Sequence, residues 1–268
     1  MENWERFEND CVEYLQKKYG YGNLKFEQTG KSDSTVSDIA VLDDGNLKFF
    51  IEVKMADAQS GQFVLLDESR RFVFSNQNKS SENEISEYIL KHINDNYEHY
   101  KNVSTASTKI DLSPEIFATW IINHYLENGA KFIITSDYSN SFIIFPTEKF
   151  YEYFEISASF RKKKSGSRDL PAIQKSEIQE LIISKYGRCE IVYEGKKAYA
   201  IVNETIPDKE KLTGMKYSYQ LNCESNGKYL IRVLSNTNNA NVIFSIRLKQ
   251  KQEQSDVYSF EHEIGAAK

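Results

Sequence analysis

The sequence contains little cysteine, little proline and no long hydrophobic run. Its 268 residues include three cysteines, four prolines and twelve glycines. Cys11, Cys189 and Cys223 are far apart and form no C-x-x-C pair, which excludes a disulfide framework and a cysteine-rich zinc site. The low proline and glycine content excludes collagen-like and linker-like sequence. No apolar run approaches the roughly 20 residues that a membrane-spanning helix needs, so we expect no membrane partner.

Export signals and an excess of positive charge are also absent. The opening MENWERFEND lacks the positive-then-apolar layout of a signal peptide, and unpaired thiols suit a reducing compartment, so we expect a cytoplasmic protein. There are 34 Lys and Arg against 39 Asp and Glu, a net charge of -5, so any contact with a polyanion must be local. Hydrophobic residues make up 40% and aromatic residues 13%, which excludes disorder of the whole chain and predicts an aromatic-rich interior or binding face.

Hydrophobic periodicity predicts an α/β core over residues 1–155. Trp4, Phe7, Cys11 and Leu15 recur at three- and four-residue spacing, which predicts a helix ending near Gly20. Further along, the pattern predicts strands at 23–28, 36–42, 47–55, 131–135 and 142–145, and helices at 85–93, 113–129 and 147–154. This order is typical of a mixed sheet with helices on both faces. Residues 156–268 are predicted to form a basic loop and a β-rich part, a separate subdomain or an extension of the first sheet.

One predicted hairpin carries charged residues on an otherwise apolar background. In the run KFFIEVKM of residues 48–55, the odd positions are all apolar, whereas Glu52 and Lys54 fall on even positions. Side chains of a strand repeat every two residues, so these two must emerge on the same face. Asp38 is the acid within the preceding strand VSDIAVL, where an unpaired buried charge is costly. Asp38 is therefore expected to have a partner.

The length of the hairpin loop decides whether Glu52 can be that partner. A two-residue loop at Asp44 and Gly45 would pair position 38 with position 51 and separate the acids onto opposite faces. A three-residue loop, 43–45, pairs position 38 with Phe50 and leaves Asp38 diagonal to Glu52. We predict the second register, because it lets both carboxylates reach one hard cation.

An Asp followed by Glu-x-Lys on the next strand, after an amino-terminal helix, resembles the PD-(D/E)xK nuclease superfamily, which includes most type II restriction endonucleases. The resemblance rests on Asp38, Glu52, Val53 and Lys54, with the surrounding α-β-β-β-α-β order over about the first 150 residues; Ser37 stands where the motif often has Pro. It implies a restriction-endonuclease-like core and a Mg²⁺ cofactor, replaceable by Mn²⁺, bound by Asp38, Glu52 and the Val53 carbonyl.

The residue types suit phosphodiester hydrolysis, which needs a nucleophile at neutral pH and relief of negative charge. One or two Mg²⁺ ions held by Asp38 and Glu52 would supply both, and Lys54 would orient or activate the water and add positive charge. Glu8 on the first helix is an accessory candidate in competition with two neighbouring glutamates. Glu-x-Lys also occurs on solvated strand faces as a weak ion pair.

Two glutamines follow the Glu-x-Lys strand. Gln59 and Gln62 resemble the glutamine-bearing segment of some restriction-type nucleases. They are accessory site candidates, with the alternative that they only end a strand and begin a loop.

Positive charge is concentrated in one segment, residues 160–168, where five of nine residues are cations. Such a run in an acidic protein predicts contact with nucleic acid phosphates, and an arginine there could read guanine edges; the alternative is a solvated loop. The predicted DNA-binding residues are Arg161, Lys162, Lys163, Lys164, Ser165, Ser167 and Arg168.

These features predict a Mg²⁺-dependent type II restriction endonuclease that cuts double-stranded DNA at a specific sequence. Palindromic sites match twofold symmetry, so a homodimer is expected, with residues 156–268 serving recognition or dimerisation and a cognate DNA methyltransferase encoded nearby. The alternatives are a structure-specific repair or junction nuclease and a non-catalytic nucleic-acid-binding module. The four histidines lack zinc-ligand spacing, and the sequence contains no P-loop, dinucleotide fingerprint or nucleophile elbow.

Overall fold

The computed structural model describes residues 3–29, 37–104, 106–137, 141–163, 166–215, 217–234 and 239–266. The chain divides into two compact units, one formed by residues 1–162 and 240–268 and the other by residues 163–239. This division differs from the predicted boundary after residue 155, since the segment 156–162 and the last 29 residues belong to the first unit. No helix in the described stretches is long and apolar enough to cross a membrane.

Seven α-helices, two short 3₁₀ helices (Thr147–Lys149 and Ala172–Gln174) and sixteen strands are assigned within these stretches. The α-helices are α1 (Asn3–Tyr19), α2 (Glu84–Asp95), α3 (Tyr97–Asn102), α4 (Pro114–Glu127), α5 (Phe150–Tyr153), α6 (Lys175–Tyr186) and α7 (Gln254–Glu263). The first eight strands are β1 (Leu24–Gln28), β2 (Ile39–Asp43), β3 (Asn46–Val53), β4 (Asp57–Glu68), β5 (Arg71–Phe74), β6 (Thr108–Lys109), β7 (Ala130–Ser136) and β8 (Phe142–Pro146). The others are β9 (Phe154–Lys162), β10 (Ser167–Asp169), β11 (Cys189–Glu194), β12 (Lys197–Val202), β13 (Glu210–Thr213), β14 (Ser218–Ser225), β15 (Lys228–Leu234) and β16 (Asn239–Leu248).

The first unit contains two five-stranded sheets. One has the order β1-β2-β3-β7-β8, with β3 and β7 parallel and the other pairs antiparallel. The other has the order β5-β4-β16-β9-β6, so that β16, near the end of the chain, lies between β4 and β9. The predicted mixed α/β architecture is confirmed, but the second sheet is an addition that local patterns did not indicate.

Helices cover both faces of the first sheet, as predicted. On one face, Cys11 and Leu15 of α1 and Phe260 of α7 pack with the apolar side chains of β1–β3 and β7. On the other face, Trp120 and Tyr125 of α4 belong to a larger core that also includes the second sheet. Alternation along β3 produces this division, because Phe49, Ile51 and Val53 face α1 and α7 while the even positions face the side of α4.

The second unit is β-rich, as the sequence predicted. It contains the sheet β11-β12-β15-β14-β13, with β10 paired to β15. Helix α6 packs Ile178 and Ile182 against Ile191, Tyr219 and Ile231 of this sheet, which gives the unit a hydrophobic core of its own.

Candidate active site

The hairpin of β2 and β3 has a two-residue turn and a bulge. Asp44 and Gly45 both have positive φ, at 52° and 78°, and Leu42 pairs with Leu47 across the turn. Such a turn favours Gly, because a side chain is disfavoured at positive φ. Beyond it, Val41 pairs with Phe49, so Lys48 is an additional residue in β3.

The predicted register, with position 38 opposite position 50, is therefore wrong. Ile39 pairs with Ile51, and continuing that register places Asp38 level with Glu52. The loop has two residues rather than three. Such a loop alone would place Asp38 and Glu52 on opposite faces, and the bulge at Lys48 returns them to the same face. The two acids consequently share one side of the sheet.

Asp38 is held at the start of β2 by the backbone of the adjoining strand. Its Oδ2 accepts a hydrogen bond from the Val53 backbone N–H at 2.9 Å. The pKa of Asp38 is raised to about 6, first by burial and then by the negative charge of Glu52, while Lys54 and the Val53 N–H act in the opposite direction. Two carboxylates in one desolvated place repel each other, and a bound cation would relieve that cost.

Glu52 and Lys54 form a close pair beside Asp38. Lys54 Nζ donates to Glu52 Oε1 at 2.6 Å and to the Val53 carbonyl oxygen at 3.1 Å, and the two side chains are only 12% and 17% exposed. Burial lowers the pKa of Lys54, but the charge of Glu52 and the nearby Tyr125 and Asp38 outweigh it, so the pKa lies well above its ordinary value. Lys54 is therefore a cation at neutral pH.

Glu8 of α1 lies within the electrostatic range of this cluster. Its Oε2 accepts a hydrogen bond from Gln28 Nε2 at 2.8 Å. Burial raises the pKa of Glu8, and the charge of Asp38 raises it further. Of the glutamates that competed for the accessory role, Glu13 instead lines a surface recess with Arg6 and Tyr14.

The donor set suits a hard divalent cation completed by other ligands. Among the described residues, no group of three or more His, Cys, Asp or Glu side chains is arranged to hold a metal ion. Mg²⁺ in proteins commonly takes one or two carboxylates, with water and substrate phosphate filling its remaining positions. Asp38, Glu52 and the Val53 carbonyl, which faces Lys54 Nζ, fit that pattern.

The two glutamines predicted as accessory residues lie within β4 rather than at a strand end. Both Gln59 and Gln62 are exposed, and Gln62 Oε1 accepts a hydrogen bond from Asn241 Nδ2 at 3.1 Å. The residue between them that points inward is Ser60, which is fully buried. Strand alternation explains why Gln59 and Ser60 face opposite sides. Gly61, with a φ of 120°, interrupts the alternation before Gln62, and the next buried residue is Phe63.

Sequence reasoning missed two residues beside Lys54. Lys54 Nζ lies 5.2 Å from the ring centroid of Tyr125, and Tyr125 Oη and Ser60 Oγ are 2.8 Å apart. In the sequence, Tyr125 looks like any other core residue of an aromatic-rich helix, so no local pattern identifies it as part of the site. The nearest signal was the glutamine-bearing segment, which contains Ser60.

The basic segment begins at the end of β9 and reaches β10, with Lys163 and Gly166 in neither strand. Arg161 and Lys162 end β9, where Lys162 Nζ donates to the Lys101 carbonyl, and Arg161 and Lys163 are exposed. Ser167 and Arg168 belong to β10 of the second unit, where the Arg168 guanidinium lies 5.5 Å from the ring centroid of Tyr217. Lys164 and Ser165 lie outside the described residues.

Comparisons with known proteins give one informative match. No protein-family model matches the chain, and no curated protein sequence matches it. Among solved structures, the chain is similar to HhaI endonuclease in complex with DNA, with 37% sequence identity and a TM-score of 0.68, over 98% of this chain and 100% of that chain. The match extends over both units, and it confirms the restriction-endonuclease-like fold class predicted from the hairpin motif. With more than a third of its residues identical over nearly its full length, the chain belongs to the HhaI endonuclease family.

Proposed function

We propose that this chain is a Mg²⁺-dependent type II restriction endonuclease that hydrolyses double-stranded DNA at a specific sequence. The observation that carries the proposal is the convergence of Asp38, Glu52 and Lys54 in a chain of the HhaI endonuclease family. The solved relative is an endonuclease in complex with DNA, which supports DNA as the substrate.

In this proposal Asp38, Glu52 and the Val53 carbonyl hold Mg²⁺, with Mn²⁺ as a substitute. The ion supplies a more acidic bound water and neutralises charge on the scissile phosphate. Glu8, held by Gln28, adds a further carboxylate to the field around Asp38. Gln59 and Gln62 become candidates for contact with DNA outside the ion site, because both are exposed.

In this proposal Lys54 orients or activates the attacking water and adds positive charge. Burial lowers its pKa, but the charges of Glu52, Tyr125 and Asp38 outweigh that effect, which favours the protonated ammonium. An ammonium has three N–H donors, and two of them point at Glu52 and the Val53 carbonyl. In this proposal the ammonium also orients the water or stabilises a phosphate oxygen in the transition state.

DNA phosphates are proposed to meet the basic segment and the second unit. The segment supplies cations and hydrogen-bond donors suited to phosphates and base edges. Its residues are Arg161, Lys162, Lys163, Lys164, Ser165, Ser167 and Arg168. The homodimer and a methyltransferase encoded nearby remain predictions. One chain supplies one Asp38-Glu52-Lys54 cluster, so cutting both strands takes either two chains or two successive cuts. Sedimentation with and without DNA distinguishes these cases.

The test is cleavage of unmethylated phage DNA by the purified full chain with MgCl₂. We expect a discrete, reproducible set of fragments that disappears when EDTA is added. Asp38→Ala, Glu52→Ala and Lys54→Ala should each lower the rate at least about 100-fold, because each removes a group that stabilises the transition state. DNA binding without metal should persist in all three, and Glu52→Ala should lose binding of Mn²⁺.

The same hairpin offers a matched control. Asp43 forms an ion pair with Lys48 at 3.7 Å and its side chain is 51% exposed, so Asp43→Ala should leave the cleavage rate unchanged. Full cleavage by Asp38→Ala would remove the proposal. Cutting of forks and flaps in place of one short sequence would instead favour a structure-specific nuclease, and Mn²⁺-independent DNA binding without any cleavage would favour a binding module.

A further inference from the structure

Lys54 contacts groups of different chemistry. Its ammonium donates to Glu52 Oε1 and to the Val53 carbonyl oxygen. It also lies beside Tyr125, whose ring centroid is 5.2 Å from Nζ and whose hydroxyl interacts with the ammonium. That separation is within the roughly 6 Å at which an ammonium is attracted to the negative face of an aromatic ring, an attraction that grows when water is excluded.

Tyr125 is itself fixed in orientation. Its hydroxyl is hydrogen-bonded to the hydroxyl of Ser60 at 2.8 Å, and both side chains are buried. The two residues come from α4 and β4, so this bond joins the helix that covers the first sheet to a strand of the second sheet. The ring also packs 5.9 Å from the ring of Phe150, centroid to centroid, which limits its movement.

The surrounding backbone is shaped to bring β4 close to α4. Gly61, next to Ser60, has a φ of +120°, and a Cβ there would lie 2.7 Å from the ring of Trp120. Only glycine is free of both the steric cost of that φ and the contact with Trp120. The backbone conformation that places the Ser60 hydroxyl beside Tyr125 therefore favours glycine at position 61.

A second support for Lys54 is needed because Glu52 has two tasks in the proposed function. A carboxylate that also serves a divalent ion attracts the ammonium less strongly, and lysine has a long, flexible side chain. The ring of Tyr125 does not compete for the ion, so it can keep the ammonium in place while Glu52 is shared.

We propose that Tyr125 is a positioning residue for Lys54, with Ser60 setting the plane of its ring. This inference rests on the proposed function, and it assigns to two buried residues outside the Asp and Glu-x-Lys motif a part in the same reaction. Tyr125 contacts neither the phosphate nor the ion in this proposal and acts through Lys54 alone.

Two double variants separate the ring from the hydroxyl. Tyr125→Phe/Ser60→Ala keeps the ring and removes both hydroxyls, so neither is left buried without a partner. Tyr125→Leu/Ser60→Ala removes the ring as well. Phe117→Leu is the control, because Phe117 lies buried on the same helix and packs against Phe244.

The first measurement is the single-turnover cleavage rate at saturating enzyme, beside the Kd for DNA without metal. We expect Tyr125→Leu/Ser60→Ala to cleave at least about tenfold more slowly, with a Kd within about threefold of wild type. Phe117→Leu should retain a rate within about threefold of wild type, although it loses thermal stability. Tyr125→Phe/Ser60→Ala should cleave at a rate between those of wild type and Tyr125→Leu/Ser60→Ala, because its ring no longer has the hydroxyl contacts that set its plane. A wild-type rate in Tyr125→Leu/Ser60→Ala, or an equal loss in Phe117→Leu, would overturn the proposal.

The second measurement does not depend on cleavage. The ring current of Tyr125 should move the Lys54 ε-methylene proton resonances upfield in metal-free protein labelled with ¹³C-lysine. This shift should remain in Tyr125→Phe/Ser60→Ala and vanish in Tyr125→Leu/Ser60→Ala, and an unchanged resonance in the latter would overturn the contact. If the wild-type chain cleaves no DNA, the proposed function fails and the positioning role fails with it. Slow cleavage by Tyr125→Leu/Ser60→Ala, together with active cleavage by wild type, supports both the proposed function and the positioning role.

Discussion

At the scale of single residues, the candidate site contains charged side chains whose repulsion and burial destabilise the folded state. Asp38 and Glu52 stand level on neighbouring strands, both largely removed from water, with one ammonium beside them. One positive charge cannot neutralise two carboxylates, and burial raises the pKa of Asp38 to about 6. Arrangements of this kind oppose folding and are retained where function requires them.

This cost predicts that Asp38→Asn stabilises the metal-free protein. A carboxyl whose pKa is higher in the folded than in the unfolded state binds its proton more tightly when folded, so stability falls as the pH rises from about 4 through about 6. Asparagine does not ionise and can still accept the Val53 N–H bond. In EDTA at pH 8 we expect the free energy of unfolding to rise by on the order of 1 to 2 kcal/mol, seen as a higher Tm.

The pH dependence supplies the check on that prediction. The gain should shrink at pH 5 and disappear below about pH 3, because the wild-type carboxyl is then protonated in both the folded and the unfolded state. Asp43→Asn, at an exposed carboxylate of the same hairpin, should change the Tm little at any pH. A Tm for Asp38→Asn at or below that of wild type at pH 8 would contradict the electrostatic account, whatever its effect on cleavage.

At the scale of elements, two local backbone features position the site. The bulge at Lys48 shifts the register of β2 and β3 by one residue and brings the acids to one side of the sheet. The close approach of β4 to α4 at Gly61 delivers Ser60 to Tyr125. Each feature depends on one residue, and each affects side chains several residues away.

Gly61→Ala tests the second feature. We expect it to lower the free energy of unfolding by about 2 to 3 kcal/mol, because alanine is strained at a φ of +120° and its Cβ would press on Trp120. Gly22→Ala isolates the cost of positive φ, since Gly22 has a φ of +62° with open space around its Cβ position, and should lose only about 1 kcal/mol. Thermal unfolding measures both, and equal Tm losses would show that contact with Trp120 adds nothing.

At the scale of the whole molecule, an acidic protein must bind a polyanion through a local surface. The net charge is -5, yet five cations fall between residues 160 and 168. Arg161 and Lys162 lie in the first unit, while Lys163 and Arg168 lie in the second. Both units therefore carry cations from one short stretch of sequence.

The salt dependence of DNA binding measures their contribution. Arg161→Gln and Lys163→Gln, at exposed positions, should each weaken binding and lower the slope of log K against log salt by about 0.9, the value for one lost phosphate contact on duplex DNA. Lys91→Gln is the control, because Lys91 is paired with Asp95 on the surface of α2. Slopes equal to wild type in both test variants would exclude these two cations from the DNA interface.

The parts of this protein that sequence reasoning reached are those set by local chemistry. The period of two along residues 48–55 determined that Glu52 and Lys54 share a face. The three- and four-residue spacing of Trp4, Phe7, Cys11 and Leu15 determined helix α1. An acid isolated in an apolar strand was enough to single out Asp38. The restriction-endonuclease-like fold that the resemblance implied is supported by the solved endonuclease structure that the chain matches.

Tertiary structure decided what depends on partners distant in the chain. Whether Asp38 meets Glu52 depends on a bulge whose residue, Lys48, looks like any exposed strand position, because register is a property of two strands together. The second sheet requires β16 to pair beside β4 across more than 170 residues, and the Tyr125–Ser60 contact requires that sheet. Residue types alone identified the candidate catalytic groups, and packing over long distances determined which of them lie close together.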